Sequence, residues 1–101
     1  MKVISTEKAP AAIGPYSQAI MVDGVLFTSG QIPLNPATGS VAGSDIETQT
    51  EQVMRNLSAV LKEAGMDFEN VVKTTCFIAN MEYFSAFNQI YSKYFVSHAW
   101  K

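Results

Sequence analysis

The residues of this chain best equipped for chemistry are Ser29, Gly30 and Gln31, three neighbours offering a hydroxyl, a bare backbone and a carboxamide. Together they can donate and accept hydrogen bonds, and glycine lets main-chain N–H groups come close to a ligand. That is equipment for holding a small polar molecule. The flanking sequence explains how such groups come to be free. Val25-Leu26-Phe27-Thr28 is a β-branched and aromatic run that suits a half-buried strand. Pro33 and Pro36 lack the N–H that a ladder needs, and Gly30 tolerates a bend, so the chain must leave the sheet or follow its edge here. Taken alone, the same residues also read as a strand end followed by a turn.

A second strand brings partners to them. Asp23-Gly24 separates two runs, 17–22 and 25–29, and Asp-Gly in that setting predicts a two-residue type I′ hairpin turn. Counting outward from Val22 opposite Val25, Ile20 faces Phe27, Gln18 faces Ser29 and Tyr16 faces Gln31. Alternate residues share a face, so these pairs lie on one side of the hairpin, apolar near the turn and polar at the open end. Tyr16, Gln18, Ser29 and Gln31 are expected to form a pocket floor. A bulge at Gly30 would shift that register.

Other reactive side chains are sparse. A second helix is expected to carry an apolar stripe of Met81, Phe84, Phe87, Tyr91, Tyr94 and Phe95, with Asn88 inside it. An amide aimed at a core needs partners or costs on the order of 1–3 kcal/mol, so Asn88 is either a satisfied core hydrogen-bonder or a site residue. His98, the one histidine, has no Cys or His companion for a metal. Cys76 lies mid-strand without an evident base and reads as a small buried hydrophobe. Arg55, the only arginine, is out of phase with its helix's apolar residues and faces solvent, while Lys73 sits in a strand. There is no glycine-rich phosphate loop and no paired-carboxylate motif.

The elements that must position these groups follow from pattern. Residues 2–5 form a short candidate strand, 7–15 a loop rich in alanine and proline, and 35–39 a surface turn. Ser44-x-x-Glu47 is a capping box opening a helix with Ile46, Val53, Leu57, Val60, Leu61 and Ala64 as its stripe, closed by Gly65. Residues 71–79 form a further strand, apolar on both faces and expected inside the sheet, and Asn80 caps the second helix. At 101 residues, with 48% hydrophobic and 16% charged residues, the chain reads as one globular domain over 1–101. A net charge of −2 argues against a broad phosphate-binding surface, so nucleic acid is not an expected partner. One cysteine excludes an intrachain disulfide and fits a reducing compartment. No apolar run approaches membrane-spanning length and no signal-peptide pattern opens the chain, so a cytoplasmic location is expected.

Three motifs together carry a resemblance. Ala9-Pro10-Ala11-Ala12-Ile13-Gly14-Pro15-Tyr16-Ser17-Gln18-Ala19, then Thr28-Ser29-Gly30-Gln31-Ile32-Pro33, then Val72-Lys73-Thr74-Thr75-Cys76-Phe77-Ile78 resemble the RidA/YjgF reactive intermediate deaminase family, over about residues 4–96. The resemblance implies an α+β fold like chorismate mutase, a two-layer sandwich with a mixed sheet covered on one face by two helices. It also implies a homotrimer with ligand clefts between subunits. The implied activity is hydrolysis of reactive 2-imino acids, 2-iminobutanoate and 2-iminopropanoate, to 2-keto acids and ammonia. No metal or organic cofactor is implied. Carried over by motif, Tyr16 shapes the cleft wall, Ser29 and the Gly30 backbone contact the substrate as catalytic residues, Gln31 adds to binding, and Asn88 lines the pocket.

The resemblance ends with the second helix. There the family continues into a Pro-x-Arg-Ser-Cys stretch and two more strands, with an arginine that clamps the substrate carboxylate and a glutamate that acts on water; this chain reads His98-Ala99-Trp100-Lys101. The expectation is a domain without its C-terminal strands and an impaired deaminase. A non-catalytic module binding small carboxylates, or a regulatory one, is the alternative, and RNA cleavage or translation inhibition is the third.

Overall fold

The computed structural model of the chain describes residues 1–95. Its first layer grows from the hairpin. Strand β1 (Lys2–Ile4) pairs antiparallel with β2 (Ala19–Val22), and β2 pairs antiparallel with β3 (Val25–Thr28), in the order β1-β2-β3. Asp23 (φ 48°) and Gly24 (φ 79°) both occupy the left-handed region that a type I′ turn demands. The register places Val22 opposite Val25 and Ile20 opposite Phe27, as the Asp-Gly turn predicts.

The second layer is helical, which makes the fold α+β. Helix α1 (Ile46–Glu63) lays Val60, Ala59 and Ala64 against Ile4, Ala9, Ala19 and Leu26. Val60 is fully enclosed, and such burial stabilises by about 1.5–3 kcal/mol. The start of α1 differs from expectation by one residue. Asp45 rather than Ser44 is the cap, its carboxylate accepting from the Thr48 backbone N–H at 2.9 Å and the Thr48 hydroxyl at 2.8 Å. Those bonds hold its carboxyl below the usual value. A carboxylate suits this place better than a hydroxyl, because it also meets the positive end of the helix dipole. At the far end Gly65 (φ 75°) donates to the Lys62 carbonyl at 2.9 Å and Met66 to that of Leu61 at 2.8 Å, a Schellman closure.

Two expectations about the third quarter of the chain are corrected. Residues 71–79 form no strand of the sheet, and Val72 and Phe77 are exposed, Phe77 to 93%. Alternating side chains suit a strand, but a strand exists only where a neighbouring edge takes its N–H and C=O groups, and the described residues supply none there. Cys76 on this segment is exposed rather than buried. The Thr74 hydroxyl meets that of Tyr91 and fastens the segment to the second helix.

That helix, α2 (Phe84–Lys93), is entered through a 3₁₀ turn, Met81–Tyr83, which Asn80 caps by accepting from Glu82 N–H at 2.9 Å. Phe87 stacks on Tyr91 with ring centres 5.2 Å apart, and Tyr91 meets Phe95 at 4.8 Å. No helix among the described residues is long and apolar enough to cross a membrane. The other face of the sheet carries Val3, Val25 and Phe27 in the open, Phe27 at 62% exposure.

Tyr94, just after α2, ties the two helices by donating its hydroxyl to Glu51 Oε1 at 2.6 Å. Partial burial, and then the bond to the Glu51 carboxylate, push this phenol up to about 12 from its ordinary value near 10. Between those values the folded chain keeps a proton that the unfolded chain has released, so stability falls as pH rises from 10 to 12. Tyr94→Phe should therefore be less stable below pH 10, by on the order of 1 kcal/mol after allowance for solvent screening. The gap should close as pH approaches 12, as read from paired urea midpoints.

Candidate functional site

The hairpin's open end is where the sheet stops and the candidate site begins. The ladder runs one pair beyond β2 and β3, with Ser29 N–H donating to the Gln18 carbonyl at 2.9 Å. After Ser29 the chain departs. Among the described residues Gly30 has no hydrogen-bonding partner and the Gln31 backbone N–H donates to no carbonyl. Gly30 has an ordinary φ, and a Cβ built on it would meet nothing within 4 Å. Its glycine identity is thus not required by its own chain. The space above it is open to something else.

Around this point lies a cleft of about 100 Å³. Tyr16, Gln18, Ser29, Gly30 and Gln31 line it, with Pro10, Ala11 and Ile13 on one wall and Ile32 and Leu34 on the other. The structure thus brings Tyr16, Ser29, Gly30 and Gln31 together. The Ser29 hydroxyl donates to the Ser17 carbonyl at 2.5 Å. A carbonyl can only accept, so the serine proton is committed and its oxygen is left as an acceptor. Gln31 Nε2 donates to the Ser29 carbonyl at 3.2 Å, which draws the side chain along the floor. Tyr16 is half exposed, and its N–H donates to the Gly14 carbonyl at 2.8 Å across Pro15. A Cβ at Gly14 would sit 3.2 Å from the Tyr16 ring, so glycine there lets the ring lie back against the turn.

Both walls are pinned by buried amides: Gln18, expected from the hairpin register on the pocket floor, and Asn56, which pattern alone did not single out. Gln18 accepts from Thr6 N–H at 2.6 Å and donates to the carbonyls of Pro10 at 2.7 Å and Thr6 at 3.1 Å. It thereby holds the alanine- and proline-rich loop, whose prolines leave it short of donors of its own. Asn56, on α1, donates to the carbonyls of Ile32 at 3.0 Å and Leu34 at 2.9 Å. The signal for Asn56 was available: it is a polar residue three positions after Val53 and four before Val60, inside an apolar stripe.

Asn88 is placed elsewhere. It is exposed on α2 and is not among the residues lining the cleft, so within one chain it does not share a cavity with Ser29. The inward side of α2 is set by Phe87 and Tyr91, and Asn88, one residue on, is turned about 100° away. Arg55 faces solvent and pairs with Glu51 at 3.7 Å. Lys73 is exposed. Among the described residues Tyr16 is the one ionisable side chain on the cleft wall. A larger recess of about 300 Å³ runs between α1 and α2, lined by Glu47, Glu51, Gln52, Arg55 and Ile90. It is broad and open, and its Arg55 and Glu51 already answer each other. The smaller cleft has the unanswered donors.

Comparison with known proteins identifies the family. The family model described as Endoribonuclease L-PSP matches residues 6–101. A Lactococcus lactis protein described as a candidate regulator, AldR, is 64% identical over 95 residues, covering 94% of this chain and 75% of that protein. The mouse protein named 2-iminobutanoate/2-iminopropanoate deaminase is 51% identical over 94 residues, covering 93% of this chain and 70% of its own length. The crystal structure of Escherichia coli TdcF with bound serine superposes with a TM-score of 0.91 at 37% identity, covering 97% of this chain and 76% of that one. With an α+β layer pair, a hairpin-end cleft and these matches, the chain belongs to the Endoribonuclease L-PSP family, the RidA/YjgF proteins.

Proposed function

We propose that the chain binds reactive 2-imino acids, 2-iminobutanoate and 2-iminopropanoate, for hydrolysis to 2-keto acids and ammonia. The observation that carries this reading is the pairing, in one small cleft, of the unpartnered Gly30 N–H with a Ser29 oxygen whose own proton is committed to Ser17. A 2-imino acid has an N–H that suits the serine oxygen and carboxylate oxygens that suit the backbone N–H groups of Gly30 and Gln31. Size agrees: about 100 Å³ is roughly three water volumes at about 30 Å³ each, enough for a three- or four-carbon acid. The named activity of the mouse relative and the serine bound by TdcF support the same class of ligand.

In the reaction, water oxygen bonds to the imine carbon and a water proton passes to nitrogen. The carbinolamine then passes its hydroxyl proton to nitrogen, the C–N bond breaks, and ammonia leaves as the C=O forms. Ser29, Gly30 and Gln31 hold the imine against Tyr16 and leave one face of its carbon to water. Proton transfer by a positioned acid or base is typically worth about 10²–10⁴-fold. The described wall offers only the Tyr16 phenol for it. Among the described residues the cleft is lined by no arginine that could clamp the carboxylate through two-pronged charge-assisted bonds and by no acid to manage water. What residues 1–95 offer is binding. A regulatory module that binds without turnover is the second reading, favoured by the name of the Lactococcus relative.

The working unit we propose is a trimer with the cleft beside a neighbouring subunit. Val3, Val25 and Phe27 on the open sheet face support it, because a soluble monomer gains nothing by leaving such a patch wet.

Three measurements test this. Gly30→Ala should leave the unfolding free energy unchanged or raise it by up to about 1 kcal/mol, since the position is unstrained. The added methyl should nevertheless weaken 2-oxobutanoate binding by about tenfold, about one hydrogen bond; unchanged binding would remove Gly30 from the site. Ammonia release from freshly generated 2-iminopropanoate should be slow for this chain and rise when it is extended through a Pro-x-Arg-Ser-Cys segment and two strands. Equal rates would show that the arginine is dispensable. Sedimentation should give three chains per particle, and Phe27→Glu should dissociate it; a stable monomer at micromolar concentration would end the trimer reading.

A further inference from the structure

Asn56 is an odd residue for the middle of α1. It is 0% exposed in a helix, a setting where asparagine is a poor choice because its side chain competes for backbone hydrogen bonds. Its burial is explained only by what it holds. Nδ2 spends both protons on carbonyls of the segment after β3, those of Ile32 at 3.0 Å and Leu34 at 2.9 Å. Oδ1 accepts from Gln52 Nε2, one turn earlier on the same helix, at 2.8 Å. The orientation of both amides is forced. Two carbonyls can only accept, so Asn56 must present its nitrogen to them and its oxygen to Gln52, which must then donate.

Ile32 and Leu34 are the cleft wall that continues from Gly30 and Gln31. Pro33 between them has no N–H, so this stretch cannot anchor itself to a sheet. Leu34 N–H closes a tight turn onto the Ile32 carbonyl at 2.8 Å, and Ala42 N–H takes the Pro33 carbonyl at 2.8 Å. On the cleft side the chain is gripped at Ser29 by the last ladder bond and next at Ile32 by Asn56, with Gly30 and Gln31 suspended between. We infer that Asn56, its amide oriented by Gln52, is a positioning residue of the cleft: it sets the line along which the Gly30 and Gln31 N–H groups face the ligand. Which ligand they face rests on the deaminase reading; that they are held from α1 does not.

The experiment uses the full chain and two readouts: the backbone amide NMR shifts of Gly30 and Gln31, and titration with 2-oxobutanoate, a product of the proposed reaction. Asn56→Asp keeps the shape and the acceptor for Gln52 but sets carboxylate oxygen against two carbonyls. Gln52→Glu, at a half-buried position, leaves Asn56 intact but removes the donor on its oxygen and sets a carboxylate against it, so that its hold on the two carbonyls is loosened. Val60→Ala is the control: it loosens the core without a bond to the segment. Both amide variants should move the Gly30 and Gln31 resonances and weaken 2-oxobutanoate by about tenfold or more, about one aligned hydrogen bond. Val60→Ala should lower the melting temperature and leave both readouts where they were. If Asn56→Asp fails to fold, Gln52→Glu decides. Wild-type Gly30 and Gln31 shifts in a folded Gln52→Glu protein, or equal displacement in Val60→Ala, would overturn the inference. Failure of the unmodified chain to bind 2-oxobutanoate would sink the deaminase reading alone, because the amide shifts would still report the positioning.

Discussion

The whole site depends on where β3 loses its neighbour. A backbone N–H and C=O must each find a partner or water, and the cost of failing rises with burial. Up to Ser29 the hairpin meets that obligation, with Ser29 N–H on the Gln18 carbonyl as its last bond. Pro33, four residues on, makes a return to the ladder impossible. The groups in between are divided in an informative way. Among the described residues the carbonyls of Ile32 and Leu34 go to Asn56 and that of Pro33 to Ala42, while the peptide groups of Gly30 have no partner. The stretch around Pro33 is answered from α1 and the following loop, and the backbone N–H groups of Gly30 and Gln31 are left for a ligand.

Much of this was written in short-range chemistry. Asp23-Gly24 fixes the turn through two residues that tolerate positive φ, and the turn fixes every cross-strand pair after it, which is why Tyr16, Ser29 and Gln31 could be brought together by counting. Gly65 likewise closes α1 by a local rule. Where the reading slipped, the deciding interaction lay outside the segment. Residues 71–79 alternate correctly for a strand, but strandness is supplied by a neighbour. Asn88 falls four residues after Phe84 and three before Tyr91, but Phe84 is itself exposed, so that edge of the stripe faces outward and takes Asn88 with it.

The reasoning that picked out Asn88 applied with more force to Asn56. Both amides fall between apolar residues at three- and four-residue steps, but only Asn56 lies on a helix whose start, stripe and closing glycine are all locally encoded. Its phase could therefore be trusted, and a buried amide with a trustworthy phase implies acceptors opposite. The carbonyls freed by Pro33 were the obvious candidates. Gln18 has the same logic, facing a loop whose prolines cannot cap their own neighbours.

Register also links assembly to chemistry. Side chains of Val22 and Val25, then of Ile20 and Phe27, lie on one face of the hairpin, and the next pair on that face is Gln18 with Ser29. The apolar patch and the cleft are consecutive stretches of a single surface, about two residues apart along each strand. A subunit seated on Phe27 would therefore close over the neighbourhood of Ser29 and Gly30, lowering the dielectric around the spare N–H groups and strengthening their hold on a carboxylate. It would also bring foreign side chains to a wall that, among the described residues, has no charge of its own. On the trimer reading, the cleft would be weak in a lone chain because its floor is built and its roof would be a partner's surface.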